Sequence, residues 1–204
     1  MNDFRKNAPC LLLKLNKPWI LFSLFCSVAL LSHGAENTHS LLQTNDLSKF
    51  IVPKGNDQYN WYVIEDGVLQ LRSSPNRKHS VLKTKEVFTD FRCNFEFRFI
   101  EGNIDSGIEL RNNDQIQIGI SGSLKRDMTG SPYIPGLGYP KHAKGVDKLL
   151  SSKDWNHMTI ICEGPRYRVN LAGNEILDYQ SPRAISTGPI GIQLHGNRDM
   201  KIDF

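Results

Sequence analysis

"DSGIELRNNDQIQIGI", residues Asp105 to Ile120, holds two patterned segments in succession. In the first, Ser106, Ile108 and Leu110 alternate with Asp105, Gly107, Glu109 and Arg111. In the second, Ile116, Ile118 and Ile120 alternate with Gln115, Gln117 and Gly119. Successive side chains of a strand point to opposite faces, so this period of two predicts a pair of half-buried β-strands. The aliphatic residues face a core. The other face gathers two carboxylates, a guanidinium and two amides, and its purpose is the question the sequence poses.

Outward from this pair, the chain continues to read as short strands punctuated by turns. "NWYVIEDG" and "VLQLRS" predict a hairpin about Asp66-Gly67, a strong turn dipeptide. "HSVLKT" and the aromatic alternation "FRCNFEFRFI" precede the opening pair; "WNHMTIICEG", "RYRVNLAG", "NEILDYQ", "GPIGIQLHG" and "MKIDF" follow it. Helical periodicity is confined to the leader and to "HSLLQTNDLSKF" at residues 39–50. Many short strands with regular turns predict an all-β sandwich, jelly roll or barrel.

At 204 residues the chain is long enough for one domain with a sizeable core. Of the formal charge of +4, +3 belongs to the first 35 residues and +1 to the rest. A nearly neutral body gives no electrostatic reason to expect nucleic acid as a partner. The leader has a basic start, the apolar run "WILFSLFCSVALL" from Trp19 to Leu31, and then small residues. That is the layout of a secretory signal peptide over residues 1–35, and the run falls short of the roughly 20 residues of a spanning helix. The expected organisation is therefore a cleaved leader, export, and a single domain over residues 36–204. Beyond the leader only Cys93 and Cys162 remain, and their strand parity with apolar neighbours reads as small buried hydrophobes.

One segment breaks the rhythm: "SGSLKRDMTGSPYIPGLGYPKHAKGV", residues 121–146. It is rich in glycine and proline but also carries Tyr133 and Tyr139, together with Lys125, Arg126, Asp127, Lys141 and His142. Structureless loops beyond about 15 residues are uncommon in compact domains. The aromatic residues point to an ordered loop closing over a site.

"GPIGIQLHG" repeats the opening pattern, with Ile190, Ile192 and Leu194 opposite Gly191, Gln193 and His195. Any one such strand also describes an ordinary solvated face. Three in agreement, followed by the glycine-rich loop, point to a concave polar site. Amides both donate and accept, carboxylates accept and arginine donates in a planar fork, a set suited to a polyhydroxylated ligand.

With "DSGIELR", "IQIGIS", "DMTGSPY", "DWNHMTI", "GNEI" and "GPIGIQLHG" in this order and spacing, the chain resembles the 3-keto-disaccharide hydrolase family from about Asp46 to Phe204. The resemblance implies a concanavalin A-like jelly roll: an all-β, antiparallel two-sheet sandwich. It further implies cleavage of glycosides already oxidised at C3 by a separate sugar 3-dehydrogenase. The partner is then a small-molecule or oligosaccharide 3-keto sugar. A C3 ketone acidifies the C2 proton; a base removes it, and the enolate expels the C1 substituent. Such a route needs a base of near-neutral pKa, an electrophile for the enolate oxygen and an acid for the leaving group. The catalytic candidates are His195, Glu109, Arg111 and Asp127. His195 is the natural base, histidine's ordinary pKa being about 6.5. Arg111 is the expected enolate stabiliser, and Asp127 or Tyr133 would serve the leaving group. The substrate-binding candidates are Asp105, Gln115, Gln117, Lys125, Tyr133 and Gln193. No cofactor is required, but Asp105, Glu109 and His195 offer an alternative set for a divalent metal acting as electrophile. Their spacing is not a metal motif.

The chain departs from the pattern of the family it resembles, with Gln115 where its members commonly carry Glu and Asp105 where they commonly carry Asn. Ala172 replaces the usual Asn, leaving Gly173-Asn174 as the expected turn. A non-catalytic carbohydrate-binding module is the alternative reading, since jelly rolls host both. Such a module would use exposed aromatic platforms, whereas Trp61 and Trp155 read as core. Export is tested by mass: the secreted protein is expected to begin near residue 35, and a mature form retaining Met1 would remove the cleaved-leader reading.

Overall fold

The computed structural model describes residues 27–30, 37–42, 45–73, 75–76, 78–196 and 198–204. The N-terminal strands are β1 (Ser27–Leu30), β2 (Asn37–Ser40), β3 (Phe50–Ile51), β4 (Tyr62–Glu65), β5 (Val68–Arg72) and β6 (Ser80–Thr84). The middle of the chain forms β7 (Phe91–Gly102), β8 (Asp105–Leu110), β9 (Asp114–Ser121), β10 (Arg126–Asp127) and β11 (Pro132–Tyr133). It closes with β12 (Asn156–Glu163), β13 (Arg166–Leu171), β14 (Asn174–Gln180), β15 (Gly191–Leu194) and β16 (Met200–Asp203). Helix is limited to the single turns α1 (Asn56–Tyr59) and α2 (Val146–Leu149). The expected helical stretch at 39–50 is not one, since its described residues are bends and strand ends. The expected leader lies outside the described residues except for Ser27–Leu30, which pairs with β2 and with β7 at Phe91–Asn94.

The strands form two antiparallel sheets. The first runs β14-β13-β12-β7-β16-β5-β4, and the second β10-β9-β8-β15-β6-β3, with β11 also paired to β9. The core lies between them. Alternate residues of β7, namely Phe91, Cys93, Phe95 and Phe97, are buried together with Ile108, Ile116, Ile118, Ile192 and Leu194 of the second sheet. Each such aromatic or aliphatic side chain contributes roughly 1.5–3 kcal/mol on full burial. The aliphatic parity of the opening stretch is thus the inner face of the second sheet, and its polar parity is the outer face. Ile120 is the exception. Gly119 takes a left-handed φ of 87° beside Ile104, and the alternation slips there.

Turn chemistry follows the sequence closely. Asp66 and Gly67 both take positive φ and join β4 to β5 in a two-residue hairpin. In the β13–β14 hairpin, however, the turn is Ala172-Gly173, with Ala172 held at φ 48°, because Leu171 pairs directly with Asn174. The last residues are fully integrated. Phe204 exchanges both backbone hydrogen bonds with Leu69 and packs against Phe95 and Phe97. Beside it, the buried Asp203 carboxylate accepts from Arg72 at 2.8 Å and from Arg98 at 2.9 and 3.0 Å, tying β5, β16 and β7 together. Trp61 is core as expected, but Trp155 is half-buried and lies under the Arg98 guanidinium, 4.6 Å from it. Cys93 and Cys162 are buried on neighbouring strands, and burial pushes the Cys162 thiol well up.

Candidate active site

Register across the second sheet builds the polar face. Gln193, Gly107 and Gln117 stand side by side on β15, β8 and β9; Gly191, Glu109 and Gln115 form the next row. These rows floor a cleft of about 640 Å³. One wall comes from the 121–146 segment, through Tyr133, Pro135 and Tyr139, with the two phenol rings edge to face at 5.3 Å. That segment is packed rather than draped. Gln117 N donates to Ser131 O at 3.0 Å, Gly130 N to Gln117 O at 2.8 Å, and Gly119 N to the Thr129 hydroxyl at 2.8 Å. Met128 and Ile134 are buried beneath it.

The floor is a directed chain of amides. Asp105 is 4% exposed, and its carboxylate can only accept. Gln117 must therefore turn its NH2 toward Asp105 Oδ1, at 2.9 Å. Its own Oε1 is then left to accept from Gln115 Nε2, also at 2.9 Å. The same Gln115 nitrogen donates to Gln193 Oε1 at 3.2 Å. What remains for a ligand is fixed by this sequence of constraints: the carbonyl of Gln115 as acceptor and the NH2 of Gln193 as donor. Gly107 makes the arrangement possible, because a Cβ there would collide with the Gln115 amide lying across it.

At the Asp105 end, charges and proton carriers converge. Arg198 Nε lies 3.5 Å from Asp105 Oδ2, and His195 Nε2 lies 3.9 Å from the same oxygen. Among the described residues, His195 Nδ1 is buried without a hydrogen-bond partner, and Nε2 is the ring atom turned to Asp105. His79 stands edge-on to His195 with ring centroids 5.8 Å apart. Burial and the neighbouring His195 hold the His79 pKa below its usual value, partly opposed by Asp105. At the other end Glu109 is half-buried, and burial raises its carboxyl above the ordinary range while Lys83, 3.8 Å away, pulls it back. Burial likewise raises the Tyr139 phenol. Glu109 is four residues from Asp105, about 13 Å along an extended strand. Asp105, Glu109 and His195 therefore do not surround one point. Among the described residues no group of three His, Cys, Asp or Glu side chains is placed to hold a metal ion.

Of the residues expected from sequence, Asp105, Glu109, Gln115, Gln117, Tyr133, Gln193 and His195 line this cleft. Three expectations are corrected. Arg111 takes a left-handed φ of 54°, which ends the alternation after Leu110. Its guanidinium is fully buried away from the cleft, donating to Thr89 O, Gly164 O and Ile185 O at 2.5, 2.7 and 3.1 Å and pairing with Asp90. Asp127 is exposed and turned onto its own chain, accepting from Thr129 N at 2.8 Å, as aspartates in tight turns do. Lys125 is exposed at a left-handed turn position closed by its own N–H on Ser121 O. Conversely, His79, Asn113 and Arg198 line the cleft without having been singled out, and Tyr139, noted only as a loop aromatic, lines it too. For Arg198 a local signal existed. It follows His195 by three residues, and the turn "HGNR" returns its N–H to His195 O.

A two-sheet antiparallel β-sandwich with a polar, amide-floored cleft on one sheet places the molecule among jelly-roll domains. The model of the 3-keto-alpha-glucoside-1,2-lyase-like domain matches residues 37–204, and the chain belongs to that family. Similar solved structures share the fold. A candidate glycosyl hydrolase from Parabacteroides distasonis superposes with a TM-score of 0.56 at 14% identity, over 80% of this chain and 92% of that one. A second from the same organism gives 0.54 at 19% identity, over 80% and 93%. A galectin-like protein from Bacillus subtilis gives 0.53 at 15%, over 70% and 81%. None of the curated proteins compared matches the sequence.

Two substitutions test this geometry. Arg111→Met strands three carbonyls that accept from its buried guanidinium, and should cost about 1–3 kcal/mol for each one left unsatisfied. Urea denaturation measures it, and a loss below about 1 kcal/mol would show the clamp to be dispensable. Gln115→Glu replaces the relay's donor with a group that faces two acceptor oxygens. Its pKa should rise in the folded state, so stability is retained at low pH and lost as pH rises through that pKa. A penalty of about 1–3 kcal/mol at pH 7 that shrinks at pH 4 is expected; equal stability to the parent at both values would disprove the amide directions.

Proposed function

We propose that this cleft binds a 3-keto-glycoside and cleaves it by β-elimination. The observation that supports this reading best is the convergence of Asp105, His195 and Arg198 at one end of the amide floor. With the C3 carbonyl directed at Arg198, the guanidinium favours negative charge on that oxygen. An imidazole then takes the C2 proton, and the C–H electrons pass into the enolate. The enolate reforms its carbonyl as the C1–oxygen bond breaks, and the departing oxygen receives a proton. The product is an unsaturated 3-keto sugar, to which water can add, OH at C1 and H at C2, to give the hydrolysed sugar.

His195 is the proton carrier of this scheme, and the Asp105 carboxylate beside it stabilises the imidazolium. Arg198 takes the part expected of Arg111. Gln115 and Gln193 offer an acceptor and a donor to ring hydroxyls, while Glu109 and Asn113 lie far enough away to meet the aglycone. The leader supports an extracellular or periplasmic setting, with the substrate supplied by a separate sugar 3-dehydrogenase.

General acid–base groups are worth about 10²–10⁴ in rate. Incubation with a panel of 3-keto-glycosides that carry sugar leaving groups, followed by product NMR, should show cleavage that falls by that factor in His195→Gln with folding intact. Near-parental turnover in that variant would reduce His195 to a binding residue. Binding without cleavage across the panel would favour the alternative, a sugar-binding domain.

A further inference from the structure

We propose that His79 and His195 divide the proton transfers of this reaction, His79 taking the proton from C2 and His195 delivering one to the departing C1 oxygen. The inference rests on the elimination reading and goes beyond it by adding a catalytic residue and assigning direction.

Elimination acts across one carbon–carbon bond, so its base and its acid must both reach adjacent atoms. That constraint eliminates most of the cleft. Glu109 stands about 13 Å along β8 from Asp105, too far to share a bond with the groups there. Asp105 is committed, with Oδ1 accepting from Gln117 and Oδ2 facing Arg198 and His195. The Tyr139 phenol is held further from ionisation by burial, which unsuits it as a base. The two imidazoles, 5.8 Å apart and edge-on in the same cleft end, satisfy the distance.

Their surroundings differ in the sense the two roles need. His195 has the Asp105 carboxylate 3.9 Å from Nε2, the ring atom that would hand a proton to the departing oxygen. At His79, burial and the charge of His195 both favour the neutral form, with Asp105 opposing more weakly. A neutral ring beside a carboxylate-supported imidazolium is the starting state the reaction requires. In balance, the C2 proton passes to His79, the C–H pair forms the enolate, and the C1–O pair leaves with the proton of His195. Transfer between the rings, directly or through water, restores the start. Among the described residues that line this end of the cleft, the other charged and titratable groups besides Asp105 are Arg198, from the turn after β15, and Tyr139, from the wall.

The test uses the full-length protein with two 3-keto-glycosides, one with a sugar leaving group and one with nitrophenolate, which departs unprotonated. C2 deuterium exchange in D2O is followed by NMR alongside cleavage. His79→Gln should lose exchange and cleavage of both substrates by about 10²–10⁴. His195→Gln should lose cleavage of the sugar glycoside by a similar factor but keep exchange and nitrophenyl cleavage within a few-fold. In the parent, kcat/KM should fall at acid pH with a midpoint below the ordinary histidine value of about 6.5. His79 stands at the cleft rim ahead of β6, outside the hydrophobic core, so folding of its variant is expected and is checked by thermal melting. Unchanged exchange in a folded His79→Gln overturns the assignment, as does nitrophenyl rescue of His79→Gln in place of His195→Gln. A parent protein that neither exchanges nor cleaves overturns the elimination reading itself.

Discussion

The phenylalanines of β7 and the isoleucines of β8, β9 and β15 must meet each other and exclude water, and this single burial determines what every other face can be. A sheet in a sandwich has one face to give to the core. Once Ile108, Ile116, Ile118 and Ile192 are turned inward, Glu109, Gln115, Gln117 and Gln193 are turned outward with no further choice. A slip of one residue in any of these strands would place amides among phenylalanines. The precision of the polar floor is therefore borrowed from the core beneath it.

Within the floor, order propagates from a group with no freedom of its own. A primary amide can be turned either way, so a row of glutamines alone would have two arrangements of similar energy. Asp105 removes that degeneracy, and each amide inherits its direction from its neighbour. The chain thus converts one buried carboxylate into a defined donor and a defined acceptor two strands away.

How much of this was legible in the sequence follows from the range of the interactions concerned. Strand parity is a local property, and it placed Asp105, Glu109, Gln115, Gln117, Gln193 and His195 on one face without knowledge of the fold. It failed at Arg111 because parity ends where a residue adopts left-handed backbone, and nothing in "ELRNND" announces that the turn begins at the arginine. Asp127 and Lys125 were misread for a related reason: loop composition shows that a segment is special but not which of its side chains turn inward. His79 joins the site only through pairing of β6 with β15, a contact between residues far apart in the chain. The jelly-roll class emerged from the family resemblance and turn spacing together, while the pairing order of the strands was beyond either.

The segment from 121 to 146 has a second consequence, separate from the shape of the cleft. By laying β10, Thr129 to Ser131 and β11 along β9, it occupies hydrogen-bonding groups that would otherwise line the rim of the second sheet. An unpaired rim of that length is a template on which another chain can add a strand, and natural β proteins manage it with short strands, charge or a covering loop. Here the covering segment is short-paired, interrupted by prolines, and carries Lys125 and Arg126 at its outer side. The same stretch of chain that bounds the ligand space therefore also guards the sheet against self-association. Shortening it to open the cleft would expose a sticky edge along with a wider site.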